Sequence, residues 1–230
     1  MSGMRLKREN ISPQIIHMCE SNSNPCHIRD SEYLYVYINP AMAELLDLPK
    51  GFNIEGKLIT DISHWMAVFL EEIYRHDKIV MDNRATLSLL ITSAFGRKNT
   101  IQPYIFDVRP FFDDVGTIVG TITEAKPCKF FSPLQYIDGE SPIALTSNIP
   151  YNRFTDRDLD VMFFTYHGLT SKETARRLGI SHRTVENRLC IMYQKAGVHN
   201  IYQFREFCRD IDIDCYIPPD FMQHNIRVID

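Results

Sequence analysis

The 230-residue chain has no run approaching the roughly 20 apolar residues that a membrane-spanning helix requires. Its charged start, MSGMRLKREN, is not followed by an apolar segment of signal-peptide length. We therefore expect a cytoplasmic protein without a membrane partner. Internal repeats and low-complexity tracts are also missing, and a composition of 44% hydrophobic and 23% charged residues is typical of globular domains. The length fits one large domain or two small ones.

The six cysteines form no CxxC pair and no close Cys/His cluster, so the sequence predicts reduced thiols and no metal site. Catalytic groups are also lacking. No spacing assembles a nucleophile, a base and an orienting group, and the acidic pair Asp113–Asp114 lies on a predicted turn. A phosphorylation-driven receiver domain is disfavoured as well, because no early acidic pair follows an apolar strand. We expect a protein that is not an enzyme.

Charge is distributed unevenly along the chain, whose net charge is -4. Residues 1–152 carry 14 basic and 18 acidic groups, residues 153–209 carry 10 and 6, and residues 210–230 carry 1 and 5. Only the middle block is basic, as attraction to phosphates requires.

Three helix starts can be identified within the basic block, because each has a Ser or Thr cap preceded by an apolar residue. The caps are Thr155, Thr170 and Ser181, and the glycines that end the first two helices are Gly168 and Gly179. The second and third helices are then joined by two residues only, a connection typical of a helix-turn-helix.

The third helix, after Ser181, has two different faces. Its apolar stripe faces the predicted core and consists of Val185, Leu189, Met192 and Ala196. The opposite face is polar and carries Arg183, Glu186, Asn187, Cys190 and Gln194. An ordinary solvated surface is the alternative for each residue taken alone.

The hydrogen-bonding groups of the polar face favour binding to DNA. Asn187 can pair with adenine and Glu186 can accept from cytosine, so both are candidates for base readout in the major groove. Side chains suited to phosphate are basic or lie at helix starts, where hydroxyl and backbone N–H groups hold anions. They are Ser171, Lys172, Ser181, Arg183, Thr184 and Arg188.

The run FTDRDLDVMFFTYHGLTSKETARRLGISHRTVENRLCIMYQKAGVHNIYQF, nearly all of residues 154–204, resembles the C-terminal domain of LuxR/GerE-type transcription regulators. That resemblance implies base contacts from the positions after Thr184-Val185 and from Cys190. It also implies a fourth helix, Asn200 to Arg209, that pairs two domains as a dimer through Ile201, Phe204 and Cys208. Two residues depart from the family pattern: Glu186 stands where a basic residue is usual, and Arg188 where His is usual.

The N-terminal part alternates short β-rich runs with helical stretches. Strands are predicted over 25–30, 33–38, 85–92, 100–110 and 116–124, with helices over 40–47 and 66–82. The order of NPCHIRD, YVYIN and three later strands resembles a PAS domain, which implies a small-ligand pocket or a dimerising module. A flavin-photosensor motif is absent, and a haem would need a ligand such as His64 or His76. We expect no cofactor beyond a small pocket ligand.

The predicted fold is an α+β PAS-like domain, an antiparallel sheet with helices, followed by an all-α four-helix helix-turn-helix domain. The divisions are an N-terminal arm or helix (1–19), the PAS-like domain (20–125), a connector (126–152), the DNA-binding domain (153–209) and an acidic tail (210–230). The tail either shields the basic block or, since its IDIDCYIPP run alternates polar and apolar residues, forms a strand.

These observations predict a dimeric transcription regulator that binds double-stranded DNA at two half-sites. Glu186 should keep its affinity low and make it depend on the dimer. The alternative is a co-regulator that acts through protein contacts, and RNA polymerase or another regulator is a further expected partner. A narrower likeness to regulators of plasmid conjugation in enteric bacteria suggests a biological role.

Overall fold

The structure is a computed structural model that describes residues 5–62, 65–130, 137, 141, 143–147, 149 and 151–229. The chain divides into two compact units. Residues 1–128 form the first together with 224–230, and residues 129–223 form the second. The second unit is thus inserted into the first, and the chain passes between them twice.

The first unit is built on a six-stranded antiparallel sheet. The strands are β1 (Cys26–Asp30), β2 (Tyr35–Ile38), β3 (Leu87–Phe95), β4 (Thr100–Phe112), β5 (Ile118–Pro127) and β8 (Asn225–Ile229). Their order in the sheet is β2-β1-β5-β4-β3-β8. Five strands lie where the sequence predicts them, although β3 and β5 each run three residues further, and the sixth, β8, lies late in the chain.

Three helices accompany this sheet: α1 (Pro13–Ser21), α2 (Pro40–Leu45) and α3 (Leu70–Asn83). The side chain of Asn39 caps α2 by accepting from the Met42 N–H at 2.8 Å, and Pro40 supplies the first helical position. A 3₁₀ turn, Trp65–Phe69, precedes α3, which therefore begins later than the predicted residue 66. His64 lies outside the described residues.

Both faces of the sheet bury apolar side chains. The larger cluster packs residues of α2 and α3 against Leu89, Ile91 and Phe106 of the sheet. The smaller one packs α1 against Ile28 and neighbouring residues on the other face. Because side chains alternate along a strand, β1 directs Cys26 and Ile28 to one face and His27 and Arg29 to the other.

β1 and β5 approach each other closely at Gly120. A Cβ there would lie 1.9 Å from the backbone oxygen of Arg29, so only glycine fits this position of the ladder. The close approach fixes the register of β1, and with it the position of Arg29.

Within residues 151–223, which the structure describes without a gap, the second unit has four α-helices: α4 (Asp156–Tyr166), α5 (Ser171–Leu178), α6 (His182–Ala196) and α7 (Ile201–Asp210). Each begins and ends within about two residues of its prediction. Their common core includes Val185, Met192 and Phe204, all fully buried. None of the described helices of either unit combines the length and apolar character needed to cross a bilayer.

The predicted acidic tail is wrong as a single segment. Ile213 and Tyr216 are fully buried in the core of the second unit, and the IDIDCYIPP run forms a 3₁₀ turn (Ile213–Cys215) instead of a strand. The strand lies further on, at β8. Burial of these apolar side chains thus holds this part of the tail in the core of the second unit despite the negative charge of the tail.

The predicted connector is also partly structured. β5 extends to Pro127, and two short strands, β6 (Lys129–Phe130) and β7 (Ile143–Ala144), pair with each other. Ile149 is buried in the core of the second unit. Residues 131–136 of the connector lie outside the described residues.

Candidate nucleic-acid interface and buried cavity

The α5–turn–α6 arrangement is fixed by local hydrogen bonds. Thr170 and Glu173 form a capping box at the start of α5, with the Thr170 N–H donating to the Glu173 carboxylate at 2.8 Å. Gly179 ends α5 with a φ of 63°, a left-handed conformation that suits glycine. Ser181 then caps α6 by accepting from the Thr184 N–H at 3.0 Å. These caps fix where α5 ends and where α6 begins.

The polar face of α6 is open to solvent. The three residues predicted to read bases, Glu186, Asn187 and Cys190, are all exposed, whereas Val185 and Met192 on the opposite face are fully buried. Burial of that apolar stripe orients the helix, so the polar row points away from the domain.

One intrahelical contact modifies the polar face. His182 Nε2 lies 3.3 Å from the Glu186 carboxylate, one turn further along α6. The imidazole thus lies beside the acidic group that departs from the family pattern, on the same face of the helix.

Exposed basic side chains lie on α5 and at the start of α6. Within the described part of the chain, none of the four forms an ion pair: Lys172, Arg176, Arg177 and Arg183. Arg176 and Arg177 were missed in the sequence because their place in the last turn of α5 suits an ordinary C-terminal charge. The predicted Ser171 and Thr184 are half-buried, and Ser181 is exposed.

Arg188 requires a correction. Its Nη1 lies 2.7 Å from Asp158 Oδ1 on α4, and Lys195 Nζ lies 3.8 Å from the other oxygen. Burial raises the pKa of Asp158, but hydrogen bonds from Thr155 and Arg188 outweigh that effect and hold it below its usual value. The pairing counts against a phosphate contact by Arg188 and assigns it to helix packing.

The predicted dimer contacts on α7 also need revision. Phe204 and Cys208 are fully buried in the core of their own unit, and Ile201 is half-buried against the same core. Burial leaves Phe204 and Cys208 no surface for a second chain. On the outer side of the helix, Tyr202 is 76% exposed.

A small cavity of about 20 Å³ lies inside the first unit, between the sheet and α3. Its apolar lining comes from the main cluster, including Leu89 and Ile91 of β3. Five polar or aromatic polar side chains also line it: His27, Arg29, Tyr35, Asp77 and Thr123.

An ion pair crosses the cavity. Arg29 Nη2 lies 3.0 and 2.8 Å from the two carboxylate oxygens of Asp77, and both side chains are almost fully buried. Burial raises the pKa of Asp77 to about 6 even though Arg29 opposes the shift. Burial, with some help from Arg29, lowers the pKa of His27 well below its usual value, so this imidazole is neutral at pH 7.

Several polar atoms at this cavity have no hydrogen-bond partner among the described residues. They are both ring nitrogens of His27, Nε and Nη1 of Arg29, and the hydroxyl of Thr123. Buried polar groups are normally satisfied, so these atoms indicate space for water or a ligand. The sequence carried one signal for these unpaired atoms. His and Arg alternate with apolar residues in a predicted strand, and the structure buries that strand at every position.

Residues 152–206 match the family "Bacterial regulatory proteins, luxR family". No curated protein matches the chain. Among solved structures, VqmA from Vibrio cholerae in complex with ligand and DNA is 20% identical, with a TM-score of 0.71 over 96% of this chain and 98% of that one. A phage VqmA in complex with DPO is 22% identical, with a TM-score of 0.63 over 94% and 95%.

The fold and the matched domain define a two-domain regulator in which a PAS-like unit is combined with a LuxR-type helix-turn-helix domain. Residues 152–206 are that LuxR-type domain, which confirms the resemblance drawn from the sequence. The whole chain shares the fold of VqmA. The family consists of transcription regulators and not of enzymes.

Proposed function

We propose that the protein is a transcription regulator that binds two DNA half-sites as a dimer, with α6 in the major groove of each. The observation that carries this proposal is the polar, exposed face of α6, held outward by its buried apolar stripe. Glu186 and Asn187 then contact base edges, with Cys190 one turn further along. The VqmA of similar fold was solved with DNA, which supports the assignment.

Phosphate contacts come from the exposed basic residues that form no ion pair within the described ranges of the chain. Lys172, Arg176 and Arg177 of α5 and Arg183 of α6 meet this condition, whereas Arg188 is held by Asp158. The capped starts of α5 and α6 add Ser171, Ser181 and Thr184 as hydroxyl or backbone donors. Because each charge contact displaces about one counterion from DNA, binding should weaken steeply with salt.

Dimerisation uses the outer face of α7. Tyr202, Glu206 and Arg209 follow each other at four- and three-residue spacing and form one exposed stripe. A two-fold axis at Tyr202 packs the rings of the two copies together, and Glu206 and Arg209 extend the exposed stripe beyond that contact. The stripe replaces the buried Phe204 and Cys208 as the contact expected from the sequence.

Selection of bound sequences from random DNA tests the proposal directly, because a reading helix enriches a defined site. The variant Glu186→Ala/Asn187→Ala should lose about 1–3 kcal/mol of discrimination per removed base contact. Glu71→Ala, at an exposed position of α3 in the other unit, is the control and should leave the selected site unchanged. Failure of the wild type to enrich any site, with a dimer confirmed in solution, would favour a co-regulator without sequence-specific DNA binding.

We also propose that the cavity of the PAS-like unit binds a small, uncharged polar molecule. Arg29 presents two free donor nitrogens, so the ligand needs an acceptor such as a carbonyl oxygen. A second anion is disfavoured because Asp77 already pairs with this guanidinium. The neutral His27 and the hydroxyl of Thr123 provide further donor or acceptor positions.

Cavity size restricts the ligand. A volume of about 20 Å³ accommodates roughly one water molecule, so any larger ligand displaces side chains. Met66, which lines the cavity, is the residue best suited to move because its side chain is unbranched and flexible. The similar phage VqmA was solved with DPO, which makes that compound the first probe.

The ligand proposal is tested by thermal shift with DPO and with a panel of small uncharged heterocycles. The matched variant is Arg29→Met/Asp77→Leu, which replaces the buried ion pair by apolar groups of similar size and should keep the fold. Wild type should gain stability with a polar probe, and the double variant should not. An equal shift in both proteins would show that the ion pair takes no part in binding.

A further inference from the structure

The last described strand returns the chain to the sheet of the first unit, which the sequence did not indicate. β8 pairs with β3 in an antiparallel register that runs from Thr92–Asn225 to Ser88–Ile229. Ile226 packs against the main core cluster, and His224, just before the strand, contacts the hydroxyl of Ser93. The first unit therefore holds the chain on both sides of the inserted DNA-binding domain.

Both connections leave the PAS-like unit at the same end of its sheet. Pro127, the last residue of β5, pairs with Tyr104, which pairs with Ile91, which in turn pairs with Ile226 of β8. The four residues form one row across four adjacent strands. With strands about 4.8 Å apart, the two connections start roughly 14 Å from each other.

β8 also lies beside the cavity. Its partner residues on β3 include Leu89, paired with Val228, and Ile91, paired with Ile226. Leu89 and Ile91 both line the cavity. A displacement of β3 by an occupant of the cavity would therefore reach β8 directly through the ladder.

Among the strands of this sheet, β8 is suited to detach. It lies at the edge, has only five residues and leaves Val228 47% exposed. Its loss leaves the pairing of β3 with the longer β4 intact. Short edge elements with few buried side chains open at lower free energy than the central part of a domain.

We propose that β8 is a releasable latch. While β8 is paired with β3, two segments of the chain connect the DNA-binding domain to the PAS-like unit. When β8 detaches, only the segment after β5 still connects them, and the DNA-binding domain turns about that segment. This inference rests on the proposed binding of two half-sites. Two connections restrict the positions of the two DNA-binding domains in a dimer, which raises their effective concentration at half-sites of the matching spacing. Release removes the restriction and leaves each DNA-binding surface unchanged.

The test compares two full-length variants that each lower the net charge by one. Ile226→Glu places a carboxylate against the core and should release β8, whereas Arg227→Ala removes an exposed side chain and should not. Deletion of residues 224–230 is a second route to release. Hydrogen exchange of the amides of 225–229 shows whether the strand has detached in each protein.

DNA binding is measured on a single half-site and on paired half-sites with a series of spacings. With β8 released, affinity for the best-spaced pair should fall about tenfold or more, and the dependence on spacing should flatten. Single half-site affinity should stay equal to wild type. Arg227→Ala should match wild type on every DNA.

The outcomes separate the latch from the underlying function. If wild type does not bind even the best site from the selection, the proposed DNA binding itself is wrong. If single half-sites bind but Ile226→Glu and the deletion keep wild-type affinity and spacing preference on pairs, the latch is overturned. Equal losses on single and paired sites would also overturn it, because they would indicate damage to the DNA-binding domain.

Discussion

At the scale of single residues, two arginines on α6 have opposite roles although the sequence suggested the same one. Arg183 is exposed and forms no ion pair with the residues that the structure describes, so Arg183→Ala should lower the slope of log affinity against log salt by about 0.9. Arg188→Ala should leave the slope unchanged and cost about 1–2 kcal/mol of unfolding free energy, because Asp158 loses its nearest ion-pair partner. Salt titrations of binding and chemical denaturation distinguish them. A reduced salt slope for Arg188→Ala would restore its phosphate contact.

Asp77 makes the stability of the PAS-like unit depend on pH. Its pKa of about 6 exceeds that of an unfolded aspartate, so the unfolded state releases its proton first. The stabilisation is complete below about pH 4 and is lost as pH rises to about 6. We expect wild type to lose unfolding free energy over this range relative to Arg29→Met/Asp77→Leu, as measured by denaturation at several pH values. Parallel pH profiles would contradict the raised pKa.

Removing only one partner of that ion pair should be much more damaging. Asp77→Asn leaves the Arg29 charge buried without a counterion, and such changes cost about 3–5 kcal/mol. The double replacement should recover most of the loss, as urea denaturation would show. A mild effect of Asp77→Asn alone would indicate that water reaches Arg29.

At the scale of elements, the two faces of α7 are expected to have different roles: the buried face stabilises the domain, and the exposed face contributes to the dimer. Phe204→Ala removes a fully buried ring and should destabilise the domain by about 3–5 kcal/mol. Tyr202→Ala removes an exposed ring and should leave stability nearly unchanged while weakening the dimer. Analytical ultracentrifugation with denaturation measures both. A Tyr202→Ala protein that dimerises like wild type would move the contact to another surface.

The elements also show which structural information is local. The helix-turn-helix was predicted closely because each boundary depends on adjacent residues: Thr170 with Glu173, Gly179 alone, and Ser181 with Thr184. The apolar stripe in the sequence of α6 also predicted which face of this helix is exposed. Pairings between distant residues were not predictable. Arg188 meets Asp158 only after α4 and α6 pack, and no sequence pattern distinguished it from Arg183.

The sequence predicted the first five strands of the PAS-like unit but not the sixth, β8. Alternation within NIRVI is too short to indicate a strand, and nothing in those residues specifies β3 as the partner. The buried pair of Arg29 and Asp77 is equally non-local, since one lies on β1 and the other on α3. The acidic composition of the C-terminal residues suggested a shielding tail, but a few apolar side chains of that segment are buried and hold part of it in the core.

At the scale of the whole molecule, the latch predicts a reciprocal effect. If pairing of β8 strengthens binding to well-spaced half-sites, those sites must strengthen the pairing by the same factor. We expect the amides of 225–229 to exchange more slowly on paired DNA than on an equal occupancy of single half-sites. Hydrogen exchange with mass spectrometry measures this in the unmodified protein. Equal exchange on both DNAs would mean that the two events are independent.

The late position of β8 has a consequence for biosynthesis. About 100 residues separate it from β5, the preceding strand of its sheet. At about 5–20 residues per second, the ribosome needs roughly 5–20 s to make them. Throughout that interval the nascent PAS-like unit presents the open edge of β3, with its unpaired N–H and C=O groups, to other chains. The inserted domain can complete its own helices during this time, whereas the sheet translated before it has to wait for its final strand.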